Sequence, residues 1–179
     1  MTTVLFLAAN PRSTTRLGLD EEIREIRDKL RGSVHQQAID LRSFWAARPD
    51  DLLQALNELR PDVLHFSGHG DPNGELTFVD GRGRPKPVSE RALTATLRAA
   101  GERIRLVVLN ACYSYPQAKA VVEVVPCAIG MNAAIGDRAA IVFAAEKSAA
   151  FDLTCRFFSP NRLVAETPPI RLQIWCPRE

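Results

Sequence analysis

Short apolar runs alternate with amphipathic segments along most of this 179-residue chain. Residues 4–8 form an apolar run closed by the turn signal Asn10-Pro11, and the next segment repeats apolar residues at helical spacing until Gly32. Residues 104–109 form a nearly continuous apolar run, which is typical of a strand covered on both faces. This alternation predicts an α/β sandwich whose sheet is mostly parallel.

The remaining elements follow from the periods of strands and helices, with glycine and proline marking where segments end. Residues 76–79 are expected to begin a hairpin whose far side is the loop at residues 81–87. Further strands are predicted at residues 34–41, 63–66, 127–131 and 170–175, and helices at residues 49–59, at 89–100, from 116 onward and from 137 through 143.

The composition is that of a globular domain, with 46% hydrophobic and 25% charged residues. The apolar runs are far shorter than the roughly 20 residues that cross a bilayer, so we expect no membrane segment. The N-terminus has no basic leader before its apolar stretch, which favours a cytoplasmic protein without a signal peptide. The length fits one domain over residues 1–179.

Charge and cysteine spacing exclude further classes of function. The formal net charge is +2 and the basic residues are interleaved with acids, so nucleic-acid binding is not expected. The cysteines form no C-x-x-C pair and have no histidine at zinc-site spacing, so neither a metal site nor a disulfide framework is predicted. They are Cys112, Cys127, Cys155 and Cys176.

Two of the predicted parallel strands lead into residues that carry chemistry. His69 follows the strand at residues 63–66, and Cys112 follows the strand at residues 104–109. Functional groups of an open parallel sheet collect beyond the carboxyl ends of its strands, and a cysteine nucleophile needs an imidazole that takes its proton. We therefore predict a His69–Cys112 dyad, with the backbone N–H groups of Gly70 and Cys112 as oxyanion donors. Such a dyad requires no metal or organic cofactor.

Each of these residues also has a plain structural interpretation. His69 can be a turn histidine between two glycines, and Cys112 can be a small buried apolar residue. His65 is interpreted as a core residue or a support for the site, because it lies on a strand. Asp137 can cap the helix that follows it.

The sequence resembles the bacterial CHAT domains of the caspase-like cysteine peptidase superfamily. Leu-His-Phe-Ser-Gly-His-Gly at residues 64–70 and Val-Val-Leu-Asn-Ala-Cys at residues 107–112 carry the resemblance, in the expected order. Residues 4–11, 19–23 and 128–137 also look like the family, so the resemblance covers about residues 1–145. It implies a three-layer α/β/α caspase-like sandwich, with His69 as the general base and acid and Cys112 as the nucleophile. Asp137 stands where some relatives have an acidic residue that receives a basic substrate side chain, so the resemblance makes it a candidate for substrate binding as well as for a helix cap.

By this resemblance the protein is a cysteine endopeptidase that cleaves a specific protein substrate in a bacterial regulatory or defence pathway, under a sensor or regulatory protein. Two features depart from the family. Asn110-Ala111-Cys112 lacks the Gln-Ala-Cys form of animal caspases, so a preference for aspartate does not carry over. Residues 146–179 are shorter than the corresponding region of relatives.

Two alternatives and one mode of assembly accompany this interpretation. The shortened C-terminal region favours a catalytically inactive caspase-like interaction module as the runner-up. A Rossmann-like nucleotide binder ranks lower, because no phosphate-binding glycine pattern follows the first strand. The strand at residues 170–175 can be a sheet edge through which two copies form a homodimer.

Overall fold

The computed structural model describes residues 1–32, 36–134, 136–142, 144–145 and 172–175. Its strands are β1 (Thr2–Ala9), β2 (Ile39–Trp45), β3 (Val63–Gly70), β4 (Leu76–Val79), β5 (Pro85–Val88), β6 (Leu106–Asn110), β7 (Ala128–Met131) and β8 (Leu172–Trp175). Its helices are α1 (Leu19–Arg31), α2 (Pro49–Leu59), α3 (Glu90–Ala100) and α4 (Tyr115–Val121), and residues 137–142 and 144–145 are also helical.

The main sheet has the strand order β2-β1-β3-β6-β7-β8. Strands β2, β1, β3, β6 and β7 pair in parallel, and β8 pairs antiparallel with β7 at one edge. Strand β3 runs on past this sheet and pairs antiparallel with β4, which forms a hairpin with β5. The carboxyl ends of β1, β3 and β6 therefore meet at one edge of the molecule.

Helices cover both faces of the main sheet. Because side chains alternate along a strand, Leu5 and Leu7 of β1 point to one face, and Phe6 and Ala8 point to the other. Leu5 and Leu7 join a core with apolar residues of α2, α3 and α4, whereas Phe6 and Ala8 pack with α1 and Ala144. The predicted mostly parallel sheet within a three-layer α/β/α sandwich is thus confirmed.

Element types agree with the sequence predictions, but some bounds differ. The strand predicted at residues 34–41 is instead Ile39–Trp45, because residues 36–38 form a 3₁₀ turn and the chain pairs with β1 from Ile39 onward. Strand β3 continues to Gly70 instead of ending at residue 66. The loop at residues 81–87 contains the start of β5, whose partner in the hairpin is β4.

The C-terminal predictions are met in part. Strand β8 falls inside the predicted segment 170–175, and residues 146–171 lie outside the described residues. The prediction of a single domain over residues 1–179 stays a prediction. In the part of the chain that the structure describes, no helix combines the length and the apolar character needed to cross a membrane.

Candidate active site at the ends of β3 and β6

His69 lies near the end of β3 and is half-buried. Its Nε2 lies 2.8 Å from the backbone carbonyl oxygen of Thr15, in the loop between β1 and α1. A carbonyl oxygen only accepts hydrogen bonds, so Nε2 carries the proton and donates it. In the neutral ring this assigns Nδ1 as the nitrogen with a lone pair, able to accept a proton from another group.

Cys112 lies two residues beyond β6, in a tight turn that leads into α4. Tyr113 has a φ of 54°, a left-handed conformation that is rare for an aromatic residue and marks local strain. Ser114 holds the turn: its Oγ donates to the carbonyl oxygen of Leu109 at 2.8 Å and accepts from the N–H of Met131 at 3.0 Å. Cys112 is half-buried and forms no disulfide.

The register of the sheet brings these two segments together. Ser67 of β3 is paired with Asn110 of β6. His69 comes two residues after Ser67 within β3 and so extends from the same face of the sheet, and Cys112 comes two residues after Asn110, in the turn that follows β6. A Cβ atom added to Gly70 would lie 2.0 Å from the carbonyl oxygen of Cys112, so the two backbones are in direct contact. The motif residues predicted to be neighbours thus lie on touching segments.

Asp137 contacts the loop that precedes α1. Its Oδ1 and Oδ2 accept from the backbone N–H of Gly18 at 3.2 and 3.0 Å. Asp137 is the first helical residue of its segment, and the carbonyl oxygen of Gly136 accepts from the N–H groups of the following turn. Its carboxylate therefore anchors the β1–α1 loop instead of capping its own helix. Its predicted role toward a substrate stays a prediction.

A buried polar cluster lies beneath the two segments and was missed by the sequence interpretation, apart from His65. Its centre is Glu22 of α1, which bonds to His65, Ser67 and Asn110. The available signal was the position of Glu22 within the apolar stripe of α1, between Leu19 and Ile26. An acidic residue on the face of a helix that packs against a sheet needs buried partners.

Comparisons with known proteins identify the family and the fold of the chain. The family model described as "CHAT domain" matches residues 3–147. A "Probable protease" of Gillisia limnaea is 25% identical over 142 residues, which is 78% of this chain and 25% of the relative. The chain therefore spans about a quarter of the length of that curated relative.

A solved structure with the same fold is a secreted C11 cysteine protease from Bacteroides thetaiotaomicron, determined in complex with an irreversible peptide inhibitor. The TM-score is 0.61 at 15% sequence identity, and the match covers 87% of this chain and 58% of the protease. At this identity the likeness concerns the fold alone.

Proposed function

This chain belongs to the CHAT domain family, and from that premise we propose that it is a cysteine endopeptidase in which Cys112 is the nucleophile and His69 the general base and acid. The observation that carries the proposal is the contact between the two motif segments: Gly70 lies directly against the carbonyl of Cys112. The name of the curated relative and the fold of the C11 protease support the same class of activity.

In the proposed reaction, His69 Nδ1 takes the thiol proton of Cys112, and the sulfur attacks the carbonyl carbon of a peptide bond. The C–S bond forms as the carbonyl π electrons move to oxygen. Collapse of this intermediate breaks the C–N bond, and His69 returns its proton to the leaving amine. Water, deprotonated by the same imidazole, then attacks the thioester. The C–S bond breaks, the product acid leaves, and His69 returns the proton to the sulfur of Cys112.

The bond to Thr15 supports His69 in this role. It orients the ring and occupies Nε2, so proton transfer falls to Nδ1. It also stabilises the imidazolium that forms during the reaction, because the carbonyl oxygen carries a partial negative charge. The structure therefore offers a backbone carbonyl as the orienting group for the histidine.

Gly70 and Cys112 are the proposed oxyanion donors. The N–H of Asp71 bonds to the carbonyl oxygen of Glu75, across the turn between β3 and β4. Since N–H groups of successive residues point to opposite sides of an extended chain, the N–H of Gly70 is directed away from β4. That direction supports its use for a ligand at the active centre instead of for the hairpin.

Thiol labelling tests the dyad directly. We expect an iodoacetamide probe to modify Cys112 of the wild type at neutral pH much faster than the buried Cys127, which serves as an internal control. His69→Ala is expected to slow the modification of Cys112 by about tenfold or more, because it removes the proton acceptor. Mass spectrometry of the labelled peptides locates the site. Equal labelling of Cys112 in the wild type and in His69→Ala would contradict the dyad.

A peptide library tests the reaction. We expect new peptide ends after incubation of a proteome-derived library with the wild type, and none with Cys112→Ala. We also propose that the chain acts in the cytoplasm, in a bacterial regulatory or defence pathway under a sensor protein. We further propose that two copies form a homodimer through β8. If Cys112 is labelled at the same rate in the wild type and in His69→Ala, and the wild type cleaves no peptide, the chain is a caspase-like interaction module instead.

A further inference from the structure

Glu22 is an acidic residue in the apolar face of α1, and 1% of it is exposed. Its neighbours on the same face are apolar and buried, including Leu19, Ile23 and Ile26, whereas Asp20 and Glu21 are exposed. A carboxylate removed from water loses its hydration, and this loss must be offset by hydrogen bonds in the interior. The position therefore calls for specific buried partners.

Those partners lie on two different strands. Oε1 of Glu22 accepts from Nδ2 of Asn110 at 2.9 Å and from Nε2 of His65 at 3.1 Å. Oε2 accepts from Oγ of Ser67 at 2.5 Å. His65 and Ser67 belong to β3, and Asn110 belongs to β6. One carboxylate thus joins the two strands that lead to the candidate active site.

The partners are also next to the reacting residues along the chain. Ser67 and Asn110 are paired across the sheet and lie two residues before His69 and Cys112. Strands β3 and β6 are extended up to this pair. A change in the distance between Ser67 and Asn110, or in their positions relative to the plane of the sheet, therefore also moves His69 and Cys112. The bonds to Glu22 fix that spacing at the last point where the strands are paired.

Helix α1 has a second connection to the site through its preceding loop. Thr15 of that loop accepts the hydrogen bond of His69, and Gly18 is held by Asp137. Anchoring α1 to the sheet through Glu22 therefore fixes the orienting carbonyl of Thr15 as well. An apolar residue at position 22 would keep the packing of α1 but remove the carboxylate acceptor of Ser67, His65 and Asn110. Nδ2 of Asn110 would keep its longer contacts to the carbonyl oxygen of Ala140 at 3.3 Å and to Oγ of Ser67 at 3.5 Å, so the loss falls mainly on Ser67.

The geometry points to Glu22 as a positioning residue of the active site, acting through Ser67 and Asn110 on the placement of His69 and Cys112. This assignment rests on the proposed dyad for its chemical effect. The structural effect of Glu22, which is the placement of Gly70 and Cys112 relative to each other, does not depend on whether His69 and Cys112 form a dyad. The two effects are measured separately.

The test uses three variants of the whole chain. Glu22→Leu removes every acceptor at similar volume, and Glu22→Gln keeps one carbonyl oxygen for Asn110 and His65 while turning a donor toward Ser67, whose hydroxyl can rotate and accept. Ile23→Val, also buried on α1, is the matched control for a small loss of stability without loss of a polar contact.

The structural measurement is the set of backbone amide chemical shifts of Gly70 and Cys112. We expect both to move in Glu22→Gln, to move further in Glu22→Leu, and to stay at their wild-type values in Ile23→Val. Should Glu22→Leu fail to fold, Glu22→Gln decides the matter alone. Unchanged amide shifts of Gly70 and Cys112 in folded Glu22→Gln would overturn the assignment.

The chemical measurement is the alkylation rate of Cys112 under conditions where every variant is folded. We expect a loss of about tenfold or more in Glu22→Leu, partial recovery in Glu22→Gln, and the wild-type rate in Ile23→Val. If the wild-type rate itself does not depend on His69 while the amide shifts still move, the proposed dyad fails and the positioning of the two strand ends stands. If the wild-type rate does depend on His69, equal rates in Glu22→Gln, Glu22→Leu and the wild type would overturn the assignment.

Discussion

Gly70 occupies a position where the carbonyl oxygen of Cys112 takes up the space that a side chain would need. A Cβ at this residue would lie 2.0 Å from that oxygen, far inside van der Waals contact, and the obstructing atom belongs to the backbone. The glycine therefore permits the close approach of β3 to the turn after β6. Its role here is contact between chain segments and does not depend on an unusual φ.

Gly70→Ala is accordingly expected to separate the two segments. We predict a loss of about 1–3 kcal/mol in the free energy of unfolding from overpacking, measured by urea denaturation. We also predict that alkylation of Cys112 becomes about tenfold slower or more, because His69 and Cys112 move apart. The control is Gly81→Ala, since a Cβ at Gly81 meets nothing within 4 Å. Equal behaviour of the two variants would contradict the close approach.

The residues proposed to react can be named from the sequence, whereas the contacts made by Thr15 and Glu22 cannot. His69 and Cys112 stand in local contexts of glycine and strand end that can be read from a few neighbours. Thr15 and Glu22 are defined by contacts that span 54 positions to His69 and 88 positions to Asn110. In the sequence, Glu22 belongs to a stretch of alternating charges; its place in the apolar stripe of α1 signals burial, but only the packing of α1 on the sheet identifies its partners.

At the scale of elements, the hairpin of β4 and β5 is closed by a carboxylate. Asp80 accepts from the backbone N–H groups of Arg82 and Arg84, both at 2.8 Å, and from Nε of Arg84 at 2.9 Å. The backbone hydrogen bond from Arg84 is the largest cause that lowers the pKa of Asp80, from 3.8 to about 2. The hydrogen bonds of this turn thus stabilise the ionised form of the Asp80 carboxyl group.

This shift predicts how the hairpin responds to acid. A carboxyl group whose pKa is lower in the folded state stabilises the fold when ionised, so the contribution is complete above the unfolded pKa of about 3.9. It is lost as the pH falls through a folded value of about 2. We expect the carboxyl carbon of Asp80 and the amides of Arg82 and Arg84 to titrate together near that value in NMR spectra.

The control for this titration is Asp80→Asn. In that variant the amides of Arg82 and Arg84 are expected to show no transition in the same range of pH. A midpoint for Asp80 near that of an unperturbed aspartate would contradict the capping role of its carboxylate.

Element bounds shifted where pairing overrode local pattern. The turn residues before residue 34 and Pro49 after the segment favoured a strand at residues 34–41, yet β2 is Ile39–Trp45, because its register is set by β1, with Thr2 opposite Ile39. Strand β3 runs to Gly70 because β4 pairs with its last residues, which the sequence signalled only as a turn. Helix α2 matches its prediction, since Pro49 marks its start and an apolar stripe marks its extent.

At the scale of the whole molecule, the main sheet packs against one apolar layer on each of its two faces. Adjacent residues of β1 serve opposite layers, with Phe6 packed toward α1 and Leu7 toward α2, α3 and α4. The predicted fold class could be obtained from the sequence because alternation and period are repeated in every segment. The order of the strands could not, since it depends on which edges pair.

Sharing of the sheet predicts that the two layers unfold together. Phe6→Ala is expected to lower the free energy of unfolding by about 3–5 kcal/mol, and Leu7→Ala by about 2–5 kcal/mol. Amide hydrogen exchange should become faster in both α1 and α3 for each variant. Faster exchange confined to α1 in Phe6→Ala, or to α3 in Leu7→Ala, would mean that the layers unfold separately.

The hydrogen bond between Glu22 and Asn110 also bears on the order in which parts of the protein are synthesised and fold. Its partners are 88 positions apart, so during synthesis the helix that carries the carboxylate is complete long before the strand that it binds. Strand β6 then has to insert beside β3, which is a non-local step and therefore a slow one in folding. Cys112 is translated directly after this strand, so the nascent chain acquires its proposed nucleophile at the same stage as the partner strand of Glu22.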